Sequence, residues 1–248
     1  MVASCVLFDL YGTLMIQDAP DDVTLAGRIG RLLAALGHEV DGGTLADALA
    51  ATSVPYVASD GLTPFERLLS ESCHAIGVPL SRSDVRVLAS RCSREWQSHL
   101  KLDAASAPVL QELRQRRQVG LVTSYDHPPH VRDALQTADM ADAFETVVVS
   151  GEVGIKKPDA AIMHLALGRL GMGASQAVYV GDSIVDYEAA TAAGMRFVLI
   201  RRPDQARSAG IAERYAETDR LLESRAAASR IRLVETLESL VPTLDHWD

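Results

Sequence analysis

The sequence predicts an α/β fold, a doubly wound parallel sheet with an all-helical insertion after its first strand. Two patterns predict it. Five short apolar runs, "CVLFDL", "VGLVTS", "TVVVS", "AVYVGDS" and "RFVLIRR", lack polar alternation, as strands buried on both faces should. Helical patterns separate the later runs, and strands alternating with helices make a parallel sheet covered on both sides. Between the first two runs, from Met15 to about Leu102, the apolar spacing is instead helical only.

In chain order, the first strand ends in "FDLYGTL", where one carboxylate, Asp9, precedes a Gly-Thr turn. Leu25, Ile29, Leu32, Leu33 and Leu36 then form a helical stripe that Gly37 ends. Thr63, Pro64 and Glu66 spell a capping box with proline at the first helical position. Val85, Leu88, Cys92 and Trp96 make a further stripe. We expect residues 15–102 to be a separate cap domain over the carboxyl ends of the strands, where open α/β sheets bind ligands. Residues 1–14 and 103–248 would form the Rossmann-like core. Within it "SAPVLQELRQRR", "KPDAAIMHLALGRLG" and "DYEAATAAG" read as helices, the last two stopped by Gly171 and Gly194. The stretch from Pro203 to Arg230 is polar and predicted helical, with no role assigned.

The 248 residues are 48% hydrophobic and 23% charged, an ordinary globular composition. A formal net charge of -9 argues against nucleic acid or an anionic membrane as partner. Cys5, Cys73 and Cys92 show neither a disulfide framework nor metal spacing and read as reduced core thiols. The first strand begins almost at Met1, which leaves no room for a signal peptide. No apolar stretch is long enough to span a bilayer. The expectation is a soluble cytoplasmic protein with a small anionic substrate; the oligomeric state is left open.

Four clusters of chemically useful residues fall at successive strand ends: Asp9, then Thr123 with Ser124, then Lys157, then Asp182 with Asp186. Singly, these would be a helix cap, a turn, a surface lysine and a cap around a helix start. In a parallel sheet, however, the strand ends share one edge, so their side chains can converge although far apart in sequence.

In order and spacing, "DLYGTL", "LVTS", "KKPD" and "GDSIVD" resemble the four motifs of the haloacid dehalogenase superfamily, with a helical cap between the first and second. The resemblance implies an Asp9 nucleophile that forms an aspartyl intermediate. Thr123 and the Ser124 backbone N–H would hold oxygens of the transferred group. Lys157, directly before proline, would balance charge in preference to Lys156. Thr13 would fix the turn beyond the nucleophile. Mg2+ would be held by Asp9, the Tyr11 carbonyl and Asp182, with Asp186 completing the shell through water or orienting the lysine.

Tyr11 is the departure, because family phosphatases carry a second aspartate there as general acid and base. Such help is typically worth about 10² to 10⁴ in rate. A tyrosine can act as an acid but is a poor base. Family dehalogenases often read Asp-x-Tyr-Gly-Thr-Leu, since halide leaves without a proton. They are metal-free, however, and lack the Gly-Asp of the fourth motif, which this chain retains. Met163 also replaces their tyrosine after the third-motif lysine.

The leading expectation is a Mg2+-dependent phosphohydrolase of a small phosphorylated metabolite, slow or restricted to good leaving groups. The alternatives are a 2-haloacid dehalogenase-type hydrolase and a non-catalytic binding protein of the same fold. Phosphonate cleavage through a cap lysine is set aside for want of such a lysine. In "SYDHPPH", Asp126 or His127 could replace the missing acid–base group. His127 and His130 are nevertheless expected to be exposed around a Pro-Pro turn, and they show no zinc spacing. If the cap recognises an anion, it would use Arg28, Arg31, Arg67, Arg82, Arg86, Arg91 or Arg94, most of them expected in solvent.

Overall fold

The structure, a computed structural model, describes residues 3–18, 21, 23–203, 205, 209–222 and 230–247. Six parallel strands form the main sheet: β1 (Cys5–Phe8), β4 (Gln118–Thr123), β5 (Thr146–Val149), β6 (Ala177–Gly181), β7 (Arg196–Ile200) and β8 (Ile231–Val234). They lie in the order β5-β4-β1-β6-β7-β8. From central β1 the chain winds outward through β4 and β5, then crosses to β6 and winds out the other way. The strand order therefore reverses beside β1, where open α/β sheets form their ligand crevice. All four residues of β1 are buried, which is why its sequence is an uninterrupted apolar run.

Helices cover both faces. Against one pack α5 (Ser106–Arg114), α6 (Pro128–Thr137) and α11 (Leu240–Asp245), in a core with Val6, Phe8, Leu113, Val131 and Leu244. Against the other pack α8 (Ala161–Leu170) and α9 (Ile184–Ala192), whose Ile162, Met163 and Ala189 meet Leu7, Tyr179 and Phe197. Each such aliphatic or aromatic side chain, once buried, contributes roughly 1.5–3 kcal/mol. A single turn, α7 (Ser150–Val153), follows β5, and α10 (Ala209–Leu222) precedes β8. The helix expected across Pro203–Arg230 thus covers 209–222; residues 204, 206–208 and 223–229 lie outside the described residues.

The insertion contains α1 (Leu25–Ala34), α2 (Gly42–Ala51), α3 (Pro64–Ala75) and α4 (Arg82–Gln97). They enclose a core of their own, including Ile29, Leu33, Leu45, Leu69 and Leu88. The capping box at Thr63 and Glu66 is formed, with Pro64 opening α3. Leu25 and Leu36, placed on the first stripe by spacing, are instead substantially exposed.

Where the insertion leaves and rejoins the core, a two-stranded antiparallel ribbon pairs β2 (Met15–Gln17) with β3 (Leu100–Leu102). The helical reading of residues 15–102 misses the ribbon, and the outermost strand β8 is not among the predicted strands, because three- and four-residue strands are too short to show a period. The three cysteines are buried and unpaired. No helix among the described residues is long and apolar enough to cross a membrane.

Candidate active site

Asp9 follows β1 directly and is buried; its backbone N–H is tied to the Val180 carbonyl of the neighbouring strand at 2.9 Å. The side chain of Lys157 arrives from the loop after α7. Its Nζ donates to Asp9 Oδ1 at 2.7 Å, to Asp186 Oδ1 at 2.6 Å and to the Tyr179 hydroxyl oxygen at 3.0 Å. Lys156, by contrast, is exposed. Burial alone would lower the lysine's pKa, but the Asp186 and Asp9 carboxylates outweigh it and hold the ammonium well above its ordinary value.

Asp186 sits in the first turn of α9, where it and Ser183 form a reciprocal cap. Its Oδ2 accepts from the backbone N–H groups of Asp182 and Ser183 at 3.2 and 3.1 Å and from the Ser183 hydroxyl at 2.7 Å. Both Asp186 oxygens are therefore engaged by protein donors. The carboxylates of Asp9, Asp182 and Asp186 each place an oxygen within 4.8 Å of the others, and all three residues are buried. Lys157 bridges two of these carboxylates, Asp9 and Asp186. Burial first, and then the Asp186 charge, push the Asp9 carboxyl above its usual range, with Lys157 opposing them. A hard divalent cation suits this all-oxygen set.

Thr13, in the turn after β1, and Thr123, at the end of β4, are buried, and the Thr13 Oγ1 has no hydrogen-bond partner. Ser124 is exposed, and its Oγ accepts the Lys157 backbone N–H at 3.1 Å, which ties the lysine loop to the end of β4. Two contributors went unnoticed in the sequence. Tyr179, inside apolar β6, receives Lys157 and donates to the Val122 carbonyl at 2.7 Å. Arg202, just past β7, donates to the carbonyls of Gly12 and Thr13 at 2.9 and 2.7 Å and to Asp103 Oδ2 at 2.7 Å. A tyrosine two residues before Gly-Asp was the available signal for the first. Nothing in the sequence signalled the second.

Tyr11 packs its ring against Trp96 and Tyr125, with centroids 4.8 and 5.1 Å away. Its hydroxyl is buried without a partner. Burial, and then the neighbouring Tyr125 and Asp9, raise the phenol's pKa, so it stays protonated. Here it is a wall of an aromatic cluster.

A cavity of about 490 Å³ lies between the insertion and the loop after β4, with Ser124 in its lining. The insertion is fastened beside it. The Phe65 N–H donates to the Asp126 carbonyl at 3.0 Å, Thr63 Oγ1 meets His127 Nδ1 at 3.1 Å, and Gln97 Oε1 meets His130 Nε2 at 3.0 Å. The Tyr56 hydroxyl binds the Asp126 carboxylate and, at 2.8 Å, Ser150 Oγ. His127 and His130 are thus buried, contrary to the expectation of exposure: the Pro-Pro turn faces α3 and α4 rather than solvent. Asp126 is exposed, with its carboxylate held by Tyr56.

Of the seven arginines named, Arg28 and Arg67 are buried and the other five exposed. Arg67 is bound to Asp60 and to the Pro55 and Leu62 carbonyls. The insertion does hold one lysine, Lys101, but it stands in β3, outside the helices, and pairs with Asp18 at 2.6 Å.

The doubly wound, Rossmann-like sheet thus places this acidic, lysine-bridged edge where open α/β folds bind their ligands. The chain belongs to the haloacid dehalogenase-like hydrolases, whose family model matches residues 3–194. It is 29% identical over 197 residues to a phosphoglycolate phosphatase of Pectobacterium atrosepticum, covering 77% of each chain. Over 141 residues it is 33% identical to a phosphoserine phosphatase of Thermus thermophilus, covering 56% of this chain and 55% of that one. Among solved structures, a 2-haloacid dehalogenase of Pseudomonas syringae superposes over 100% of both chains, with a TM-score of 0.68 and 21% identity. A phosphatase from Thermococcus onnurineus does so over 97% of each, with a TM-score of 0.63 and 22% identity. The shared fold thus does not separate the two activities.

Proposed function

We propose that the protein is a Mg2+-dependent phosphohydrolase of a small phosphorylated metabolite, with Asp9 as nucleophile and the helical insertion as cap. The observation that carries this reading is the buried convergence of the Asp9, Asp182 and Asp186 carboxylates, with Lys157 between Asp9 and Asp186, an all-oxygen set of the kind a hard cation takes. Sequence similarity to a phosphoglycolate phosphatase supports it. Bound by Asp9, Asp182 and the Tyr11 carbonyl, Mg2+ would supply Lewis-acid charge compensation for a phosphoryl group.

An Asp9 oxygen attacks phosphorus, the bond to the leaving oxygen breaks, and a phosphoaspartate remains; water then attacks that phosphorus and releases inorganic phosphate and Asp9. Lys157 offsets charge on Asp9 and on the transferring group. Asp186, saturated by donors, fixes the lysine rather than binding the metal directly. Thr123 and the Ser124 N–H hold phosphoryl oxygens, and Thr13 steadies the turn. With no carboxylate at position 11 and the Tyr11 ring packed into the aromatic cluster, the leaving group departs largely unassisted.

The second reading, a dehalogenase, draws on the aromatic surroundings of Tyr11, which would suit an alkyl halide. Hydrolysis of p-nitrophenyl phosphate with Mg2+ and with EDTA, by wild type and Asp9→Asn, decides between them. Metal-dependent turnover abolished by Asp9→Asn is the expected result. Halide release that persists in EDTA, without phosphatase activity, would establish the dehalogenase instead.

A further inference from the structure

We propose that the cavity under the insertion is built for an uncharged, ring-bearing leaving group, so that the preferred substrates are aryl-type phosphate monoesters and not phosphorylated carboxylic acids. The inference rests on the phosphohydrolase reading and names the substrate class of that site.

The first observation is the shape and chemistry of the walls. At about 490 Å³ the cavity has the volume of a small-molecule site. Trp96 and Tyr125 form one side, their rings stacked with centroids 5.6 Å apart and planes 24° apart, and Phe65 adds a third ring. Ser124, at the carboxyl end of β4, belongs to the same lining, so the aromatic surface begins where the leaving group of a bound phosphate ester would emerge. A flat ring gains both apolar burial and ring–ring contact there.

The second observation is charge. Arg28 is the cation among the described residues of the lining, with Asp21 and Asp126 the two carboxylates. Its Nη2 donates to both Asp21 oxygens at 2.7 and 2.8 Å, while Nε lies 3.4 Å from Glu95 and makes no hydrogen bond. Arg31 shares Glu95, so these four side chains are neutral as a set. An incoming carboxylate would enter beside Asp21 and Asp126, with no surplus positive charge among these four side chains to receive it. Phosphoglycolate and phosphoserine, named for relatives of this chain, both carry such a carboxylate; a neutral ring does not.

The third observation is independent of the cavity. Position 11 offers no carboxylate, and the Tyr11 hydroxyl is buried without a hydrogen-bond partner, so the reaction favours leaving groups that depart without a proton, and phenols do so far more readily than aliphatic alcohols. Wall chemistry and catalytic chemistry therefore select the same compounds.

The test is kcat/KM for phenyl phosphate, 4-carboxyphenyl phosphate, phosphoglycolate, O-phosphoethanolamine and acetyl phosphate, by wild type, Asp21→Asn and Trp96→Leu. Phenyl phosphate should exceed its 4-carboxy analogue by at least about 30-fold, although the carboxylated phenol is intrinsically the better leaving group. Asp21→Asn, which frees the charge of Arg28, should narrow that ratio at least about tenfold. Trp96→Leu should lower the ratio of phenyl to acetyl phosphate by about tenfold. The inference is overturned if a carboxylated or amino-bearing ester is preferred, or if both variants leave the ratios unchanged. Turnover of acetyl phosphate without preference for the ring would sink the inference and leave the phosphohydrolase standing; no turnover of any ester with Mg2+ would sink both.

Discussion

Gly12 lies against the carboxylate of Asp182 so closely that a Cβ on it would stand 2.5 Å from Asp182 Cγ, and its φ of +92° is one that residues with a Cβ rarely adopt. The turn after the nucleophile and the fourth-motif aspartate are thus fitted to one another. Gly12→Ala should impose roughly 1–2 kcal/mol of backbone strain and displace Asp182. We expect at least about a hundredfold loss of Mg2+-dependent turnover, with weaker metal binding by isothermal titration calorimetry. Unchanged metal affinity would separate Asp182 from the metal site.

The phenol of Tyr11 has no partner, so Tyr11→Phe should change kcat/KM by no more than about twofold. It should also leave stability equal or raise it by up to about 1 kcal/mol, because an unsatisfied buried hydroxyl is removed. A hundredfold loss would make the hydroxyl a catalytic group. Tyr11→Asp should act in the opposite sense, restoring an acid and base. Rates on alkyl phosphates relative to aryl phosphates should rise at least about tenfold, the lower side of what such assistance supplies; a flat leaving-group dependence in wild type would refute the premise.

Arg202 holds the Gly12 and Thr13 carbonyls together with Asp103, which follows the ribbon leading back from the insertion. Arg202→Met would leave Asp103 and two carbonyls without these donors. Breaking one side of a buried ion pair costs about 3–5 kcal/mol, so a clear loss in denaturant stability is expected. Because the same bonds steady the peptides beyond Tyr11, the Mg2+ concentration for half-maximal activity should rise as well. Lost stability with an unchanged metal requirement would confine Arg202 to a structural role.

The parallel core and the edge that gathers Asp9, Lys157, Asp182 and Asp186 are legible because buried strands leave long apolar runs and their ends fall on one side of the sheet. Asp9, Lys157 and Asp186 do meet, joined by positions 148 and 29 residues apart in sequence. What stayed hidden depends on faces that only packing sets. Arg202 and Tyr179 serve the site through contacts across the sheet, which no local pattern encodes. His127 and His130 looked like solvent-facing turn residues, since the sequence does not say that α3 and α4 cover them. Arg28 could not be told from six other arginines until Asp21 and the cavity wall were located beside it.

His130 provides a pH test of how the insertion is held. Burial, together with the positive potential of His127 and Arg94 and against the opposing Asp133, lowers its pKa from an ordinary 6.5 to about 4. The ring is therefore neutral where it meets Gln97 of α4 and packs 5.7 Å from the Tyr125 ring. In the unfolded chain His130 takes up a proton near pH 6.5, whereas in the folded chain it resists until about pH 4. The unfolded state thus binds more protons across that window. The contribution to stability is fully present above pH 6.5 and is lost progressively as pH falls toward 4, by up to about 3 kcal/mol. His127, lowered chiefly by burial, acts in the same direction. Urea denaturation of wild type and His130→Gln between pH 7 and 4.5 measures the effect. The variant should be less stable at pH 7 but show a shallower decline on acidification. Parallel curves for the two proteins would mean that His130 does not carry the acid sensitivity of this interface.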